Sequence, residues 1–439
     1  MAPLTVLSDS DVLQILLGLE YQDVVDLGMS LGEALHEYST GDTNASCCAS
    51  YQPSRTVIKR KNATSLFMPA SSSTAVGMKM VTLETPEVSS SNASLASKKS
   101  SMSSASTGME ALQLTPASSM STSDTRSSIS GESFQPPPSM ESSQSTNPKG
   151  MVTISDAKGN PHGVINAEEL TAFRTALGAT FLLQKRINVH TITVFGAGKQ
   201  AYWHIRLALI LRAKEIHHVN IINRSFDGAV RLMKQFQPGK GGKEEWGHVK
   251  FSVVTPEFGE YGRLLKDEVR KADVMFCCTP STEPLFPHEF LTSHEGRRKG
   301  RYISAIGSYA PHMIELHPEI IRTAVKVDHG HRHYHKHAQQ EGVIIVDTLD
   351  GCLKEAGEII QAKITPEQLV EVGELIMVKK SSIKEIEAGG EGEKGLLEWL
   401  QKGNVIYKSV GMGLMDLVIG GELIRLGRER SIGTFIPDF

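Results

Sequence analysis

Apolar residues recur with two different periods along this chain, and the change of period divides it. Near the start, Ser8-Asp9-Ser10-Asp11 places capping side chains ahead of an apolar-periodic stretch, and residues 21–38 repeat at helical spacing. Two amphipathic helices are predicted there. Residues 55–59 and 76–83 alternate at every second position instead, as half-buried strands do. A further short strand is predicted at 151–154, then a turn at Lys158-Gly159-Asn160 and a helix over 167–185.

From His190 the pattern becomes strand–helix alternation. Strands are predicted at 191–195, 219–222, 249–254, 274–277, 301–305 and 324–327, with helices at 200–212, 227–236 and 264–271. Regular alternation of this kind predicts a parallel sheet covered by helices on both faces, an α/β fold. The last hundred or so residues return to helices and loops and end in a long apolar-periodic helix near 412–426. No internal repeat interrupts this order.

One segment obeys neither period. Between residues 89 and 147, 22 of 59 residues are serine, with Pro136-Pro137-Pro138 and the single aromatic Phe134. Such a composition buries too little apolar surface to offset the entropy of ordering its backbone, so a disordered insertion is expected. The remaining 380 of the 439 residues suffice for two ordinary domains.

Composition and charge remove several classes of function. Lys and Arg total 46 against 49 Asp and Glu, a net charge of -3, which leaves no general field to draw the chain onto nucleic acid or an anionic membrane. No apolar run approaches the ~20 residues needed to span a bilayer. Residues 1–11 hold two aspartates, no Lys or Arg and no long apolar core, so no secretory signal is expected. Five cysteines, four of them in adjacent pairs (Cys47-Cys48 and Cys277-Cys278), do not make a disulfide framework. A reduced, cytoplasmic protein is the expectation.

The most informative stretch is Thr191-Ile192-Thr193-Val194-Phe195-Gly196-Ala197-Gly198-Lys199-Gln200-Ala201. It follows a predicted strand and opens a helix inside a βαβ unit, the context in which a glycine turn binds a dinucleotide. Gly196 permits the tight turn, Gly198 lets the backbone approach a pyrophosphate on the helix N-terminus, and Ala201 stands in for the third glycine. With these, Lys199 and Gln200 are assigned to the cofactor. The second strand ends in Asn223-Arg224-Ser225, where NAD enzymes place an acid for the ribose hydroxyl. A guanidinium at that point favours a 2′-phosphate, so NADP(H) is expected over NAD(H), with Asn223, Arg224 and Ser225 as its contacts.

With these motifs in view, the chain resembles the ornithine cyclodeaminase/mu-crystallin family. The matching stretches run in order through nearly all of it outside the insertion: Pro53-Ser54-Arg55-Thr56-Val57, Met68-Pro69-Ala70, Gly77-Met78-Lys79-Met80-Val81, Leu170-Thr171-Ala172-Phe173-Arg174-Thr175-Ala176, the glycine turn, Cys278-Thr279-Pro280-Ser281-Thr282-Glu283-Pro284, Ala305-Ile306-Gly307-Ser308, Val346-Asp347, Glu355-Ala356-Gly357-Glu358 and Tyr407-Lys408-Ser409-Val410-Gly411. The resemblance implies a homodimer with a Rossmann-type NAD(P)-binding domain and a discontinuous α+β substrate/dimerisation domain. The corresponding division is 1–187 and 346–439 for the discontinuous domain and 188–345 for the nucleotide domain. It also implies that Arg55, Lys79 and Arg174 bind substrate. That set suits a 2-imino or 2-oxo acid, whose carboxylate an arginine grips with two parallel bonds. Lys79 then orients the C=N or C=O and relays a proton.

Two departures from the cyclodeaminase pattern bear on the substrate. Tyr309 and Leu66 stand where ornithine cyclodeaminases carry an aspartate and a glutamate for the two amines of ornithine. A small cyclic imino acid reduced with NADPH is therefore expected, as in the mu-crystallin-like members. An ornithine cyclodeaminase that recycles its cofactor, and an NADPH-binding regulatory protein without turnover, are the alternatives the residues leave open. Tyr309 and His312 are candidates to supply a proton or simply to pack. Histidines alternate through Asp328-His329-Gly330-His331-Arg332-His333-Tyr334-His335-Lys336-His337, which reads as a surface loop, and no metal is expected. Cys277-Cys278 reads as core, Glu315 and Asp347 as backbone-orienting acids, and Asp416 as a cap, an ion pair or a neighbour of the cofactor.

Overall fold

The computed structural model describes residues 3–41, 52–84, 148–326, 343–376 and 391–439. The serine-rich insertion at 89–147, Cys47-Cys48 and the histidine-rich stretch 329–337 lie outside the described residues.

Two sheets organise the molecule. The first contains β1 (Leu4–Leu7), β2 (Thr56–Arg60), β3 (Ala63–Ser71), β4 (Ala75–Glu84), β5 (Lys149–Asp156), β6 (Pro161–Asn166) and β15 (Thr434–Ile436), in the order β15-β1-β6-β5-β4-β3-β2. Only the β1–β6 pairing is parallel. The second is parallel throughout and contains β7 (Thr191–Phe195), β8 (His218–Ile222), β9 (Lys250–Val254), β10 (Val274–Cys277), β11 (Tyr302–Ala305), β12 (Ile344–Val346), β13 (Leu369–Glu371) and β14 (Val405–Lys408). Its order is β13-β12-β14-β11-β10-β7-β8-β9. Inner strands such as β10 and β11 are buried at every position and largely apolar, because helices cover both faces. After β7 the chain moves to β8 and β9, then returns to β10 on the other side. That reversal leaves a crevice at the carboxyl ends of β7 and β10, the switch point at which open parallel sheets bind ligands. This is the Rossmann-like α/β architecture that the alternation predicted.

The two sheets are joined by the helix Ala167–Leu183, buried nearly all round, and by the long helix Gly413–Glu429, which packs on the first sheet. Capping begins where the sequence signals it. Ser8 accepts from Asp11 N, and the Asp11 side chain returns a bond to Ser8 N.

Three expectations change. The segment 324–327 was expected as a strand, but Ala324 and Val325 end the helix Pro318–Val325, and Val327 is outside the described residues. Pro318 at the first turn after the cap His317 is the helix-start signal that outweighs the β-branched residues. The boundary at 345/346 falls inside the parallel sheet: β12, β13 and β14 keep the chain there to Lys408, so the return to the first sheet begins with Gly413. β3 had no counterpart in the periodicity, because Ser65, Pro69 and Ser71 break the alternation. It tolerates Pro69 because β2 pairs with it only as far as Phe67. Beyond that point β3 is an edge, where a missing N–H leaves no ladder bond unmade.

Candidate active site

A cleft of about 530 Å³ opens between the two sheets. Its floor is made by the residues that follow the parallel strands: Gly196 after β7, Asn223 after β8, Cys278 after β10, Ile306 after β11 and Ser409 after β14.

At the nucleotide end the chain presents mostly backbone. Gly196 sits at φ +104, and a Cβ there would lie 2.9 Å from the Cys278 carbonyl oxygen, so no other residue makes this turn without strain. Gly198 caps the helix Lys199–Arg212 with extended backbone and no side chain. A Cβ at Gly198 would stand in open space, so the free N–H groups of that helix face an unobstructed cradle suited to a pyrophosphate. Asn223, Arg224 and Ser225 line the cleft; Ser225 Oγ caps the helix Phe226–Lys234, and Asn223 Nδ2 donates to the Ser225 carbonyl at 2.9 Å. Arg224 is exposed there. No acid occupies the end of β8, though Glu257 Oε1 accepts from Phe226 N at 3.1 Å nearby.

Two assigned residues behave differently from the rest. Lys199 lines the cleft, but its ammonium is turned onto Glu169, Glu168 and Asp9 at 2.5, 3.0 and 3.6 Å. What it offers a nucleotide is its place in the first helical turn rather than a free charge. Ala201 is fully buried and does not line the cleft; it packs the helix against the sheet, the role of the third motif position.

At the other end, side chains from separate elements converge. Lys79 on β4 donates to Asp416 Oδ1 at 2.8 Å and to Thr171 Oγ1 at 2.7 Å. Arg174 Nε lies 3.3 Å from Asp416 Oδ2 but outside hydrogen-bond geometry, and Arg174 Nη1 contacts Met415 Sδ. Lys79 and Arg174 are 3% and 4% exposed and Asp416 is wholly buried, so this is an ion cluster at the bottom of the cleft. Burial pulls the Lys79 ammonium down to about 8; Asp416 opposes the shift, while Arg174 and Arg55 reinforce it. Arg55, just before β2, pairs with Glu355 at 2.5 Å and reaches the Gly411 carbonyl at 3.3 Å. Gly411, at φ +84, has no room for a Cβ, which would fall 2.8 Å from Arg174 Nη2. Asp347 fixes this glycine from behind, accepting from Gly411 N at 2.7 Å and Ser409 Oγ at 2.6 Å.

Beside Lys79, on the same face of the first sheet, the cleft lining is apolar: Leu66, Met68, Val81 and Leu83; Tyr309 also lines the cleft. Burial raises the Tyr309 phenol, so it stays protonated. Cys278 lines the cleft, but burial pushes its thiol well up, so it is no nucleophile; its partner is the neutral His204, at 3.9 Å. All the residues assigned to substrate and cofactor thus meet in one cleft except Ala201. The sequence reading placed no substrate-end role on Thr171 and Glu355 and left Asp416 among three. The available signal for Asp416 was an acid inside the apolar run of residues 413–421, where a buried charge needs a partner. Among the described residues no cluster of His, Cys, Asp or Glu is placed to hold a metal ion, and no helix is long and apolar enough to cross a membrane.

Known proteins share this architecture. The profile of the ornithine cyclodeaminase/mu-crystallin family matches residues 96–377. An uncharacterized protein of Saccharomyces cerevisiae is 26% identical over 305 residues, 64% of this chain and 75% of its own. Delta(1)-pyrroline-2-carboxylate reductase of Bacillus cereus is 25% identical over 298 residues, 65% of this chain and 74% of its own. Among solved structures, the Thermococcus litoralis Delta(1)-pyrroline-2-carboxylate reductase bound to NADH and L-proline superposes with a TM-score of 0.61 at 18% identity, covering 98% of this chain and 99% of that one. An archaeal alanine dehydrogenase dimer with bound NAD gives 0.61 at 16% identity, covering 99% of each. A probable ornithine cyclodeaminase of Bordetella pertussis gives 0.58 at 18%, covering 98% and 99%. At these identities the superpositions establish the shared fold.

Proposed function

Because the chain belongs to the ornithine cyclodeaminase/mu-crystallin family, whose relatives here include nicotinamide-dependent reductases and cyclodeaminases, we propose that it is an NADPH-dependent reductase of small cyclic imino acids. The observation that carries this reading is that Arg55, Lys79 and Arg174 line one cleft together with Leu66 and Tyr309, the positions at which the resemblance implies acids for a diamine.

The nucleotide is held by the Gly196–Gln200 turn, with Asn223, Arg224 and Ser225 at the adenosine end. When bound, a reduced nicotinamide supplies a hydride to the imine carbon. Arg55 and Arg174 grip the substrate carboxylate, each offering a planar fork of donors. Lys79 Nζ, held by Asp416 and Thr171, directs an N–H at the imine nitrogen and delivers the proton that completes the amine. Its depressed pKa, about 8, makes that proton available near neutrality without leaving the residue uncharged. The leucines, Met68 and Val81 exclude water and accept the ring.

A second copy of the chain is proposed to pack on the outer face of the first sheet. Ile58, Val76, Met78 and Met151 project from one side of neighbouring strands and are 44%, 51%, 39% and 38% exposed, an apolar patch away from the cleft. The cytoplasmic assignment rests on cysteine chemistry: Cys277, Cys278 and Cys352 are all free thiols.

The test is loss of reduced-nicotinamide absorbance with pyrroline-2-carboxylate and piperideine-2-carboxylate, NADPH against NADH, and Arg174→Ala as control. Turnover that prefers NADPH and drops by about a thousandfold in the variant is expected, the loss of one buried charged grip. Ammonia and proline formed from ornithine would instead establish a cyclodeaminase. NADPH binding without either reaction would mark a binding protein.

A further inference from the structure

A second set of ionisable groups lies behind the cleft wall, and none of the chemistry above uses it. Glu315, Glu358 and Lys408 are 0%, 0% and 1% exposed. Glu315 Oε1 accepts from Thr279 N at 2.7 Å and Thr279 Oγ1 at 3.2 Å, while its Oε2 accepts from Gly307 N at 2.6 Å. Thr279 belongs to the loop after β10 and Gly307 to the loop after β11, and both line the cleft. The two loops touch backbone to backbone, since a Cβ on Gly307 would lie 2.2 Å from the Thr279 carbonyl oxygen. Behind them Glu358 accepts from Glu315 N at 2.8 Å and from Ser308 Oγ at 2.6 Å. Lys408 Nζ stands 3.4 Å from Glu358, outside hydrogen-bond geometry.

We infer that Glu315 is a positioning residue for the nucleotide, holding the Thr279 and Gly307 loops together as one wall of the cleft, and that it holds them more tightly ionised than protonated. The inference rests on the nucleotide reading proposed above. Its physical basis is the charge on the acceptors: each carboxylate oxygen faces a backbone N–H, and an ionised acceptor makes the stronger bond. A proton on either oxygen leaves it a lone pair for its N–H but turns a charged acceptor into a neutral one, which holds that N–H about half as strongly, so the grip on one loop slackens. The protonated state is within reach because two carboxylates share one ammonium away from water. Burial and Glu358 push Glu315 up to about 7, against the pull of Lys408 and the two N–H donors. The groups facing it are Lys408 on β14, Glu358 on the helix Gly357–Ala362, and Cys277 and Cys278 at the end of β10. Burial keeps both thiols protonated, so across the neutral range the proton goes to the carboxylates. The wall therefore loosens as pH falls.

The experiment is NADH binding, read from nicotinamide fluorescence, on the full chain between about pH 6 and about pH 8. NADH is the probe because the 2′-phosphate of NADPH titrates in the same range, near ~6. Wild type is expected to bind about tenfold more weakly at the acid end, the coupling of one proton to one ligand. Glu315→Gln, which cannot accept with both side-chain termini, is expected to bind about tenfold more weakly than wild type at the alkaline end and to show no pH dependence. Glu358→Gln removes the like charge and leaves every donor to Glu315 in place, so the binding midpoint should move to lower pH. A purely structural role would not move that midpoint. A folded Glu315→Gln protein with the wild-type affinity and profile overturns the inference. So does an unmoved midpoint in Glu358→Gln, even where Glu315→Gln fails to fold. Failure of wild type to bind either NADH or NADPH overturns the nucleotide reading itself.

Discussion

At the nucleotide end of the cleft, contiguous residues do the work through their backbone: a glycine at positive φ, a second glycine with nothing in front of it, and the N–H groups of a helix. At the substrate end, Arg55, Lys79, Arg174 and Asp416 come from four stretches of chain far apart in sequence and are gathered by their side chains at one end of the cleft. A backbone site depends on local sequence and tolerates change in the side chains around it. A side-chain site depends on partners, and a buried charge without its partner is costly. The contrast predicts where single substitutions hurt and where they pass unnoticed.

The largest effect is expected at Asp416. Asp416→Asn leaves Lys79, Arg174 and Arg55 facing one another with no buried counter-charge. Breaking such a pair costs ~3–5 kcal/mol of stability, and with the proton donor no longer held in place kcat/KM should fall by about a hundredfold or more. The pH dependence gives the sharper readout. Wild-type activity should decline as pH rises through about 8, where Lys79 loses its proton. Asp416 is the group that raises the Lys79 value, so in the variant this alkaline limb should move to lower pH. A profile unchanged in position would mean that Lys79 is not the proton source.

A smaller effect is expected at the nucleotide end, where Arg224 is the one side chain assigned a charge-reading task. Arg224→Ala should cost about 1.5–3 kcal/mol in NADPH affinity, the loss of a charge-assisted bond, and leave NADH affinity nearly unchanged. Paired binding titrations with the two nucleotides check this. Equal losses for both would remove the argument for a 2′-phosphate contact, and Glu257, already seated on Phe226 N at the adjoining helix start, would become the residue to examine for NAD(H).

How much of this was legible in the sequence follows the same division. The glycine turn and the parallel strands around it could be read locally, because strand, turn and helix start are continuous and each signals itself. The three cations were reachable only through family resemblance, since nothing in the spacing of Arg55, Lys79 and Arg174 brings them together. Asp416 could be noticed as an odd acid in an apolar helix, but its partners became visible only once β4 and the helix Ala167–Leu183 were seen to pack on that helix. Likewise β12, β13 and β14 are too short for periodicity to assign, and their place in the parallel sheet is fixed by pairing alone. The strand at 324–327 failed for the opposite reason. Two β-branched residues outweighed a proline and a capping histidine that mark a helix start.

The smallest effect tests the comparison from its quiet side. Ala201 occupies the third motif position, yet it is wholly buried and away from the cleft. Ala201→Gly restores the commoner motif residue but removes a buried methyl group and loosens the first turn of the helix Lys199–Arg212. That should cost ~0.5–1 kcal/mol of stability, a fall of about 2 °C or less in melting temperature for a chain of this size. NADPH affinity should not change measurably, because the N–H groups that face the cradle are carried by the same helix in the same register. A variant that melted as wild type but bound nucleotide differently would show that this position acts on the ligand, and the backbone description of the nucleotide end would need a side chain after all.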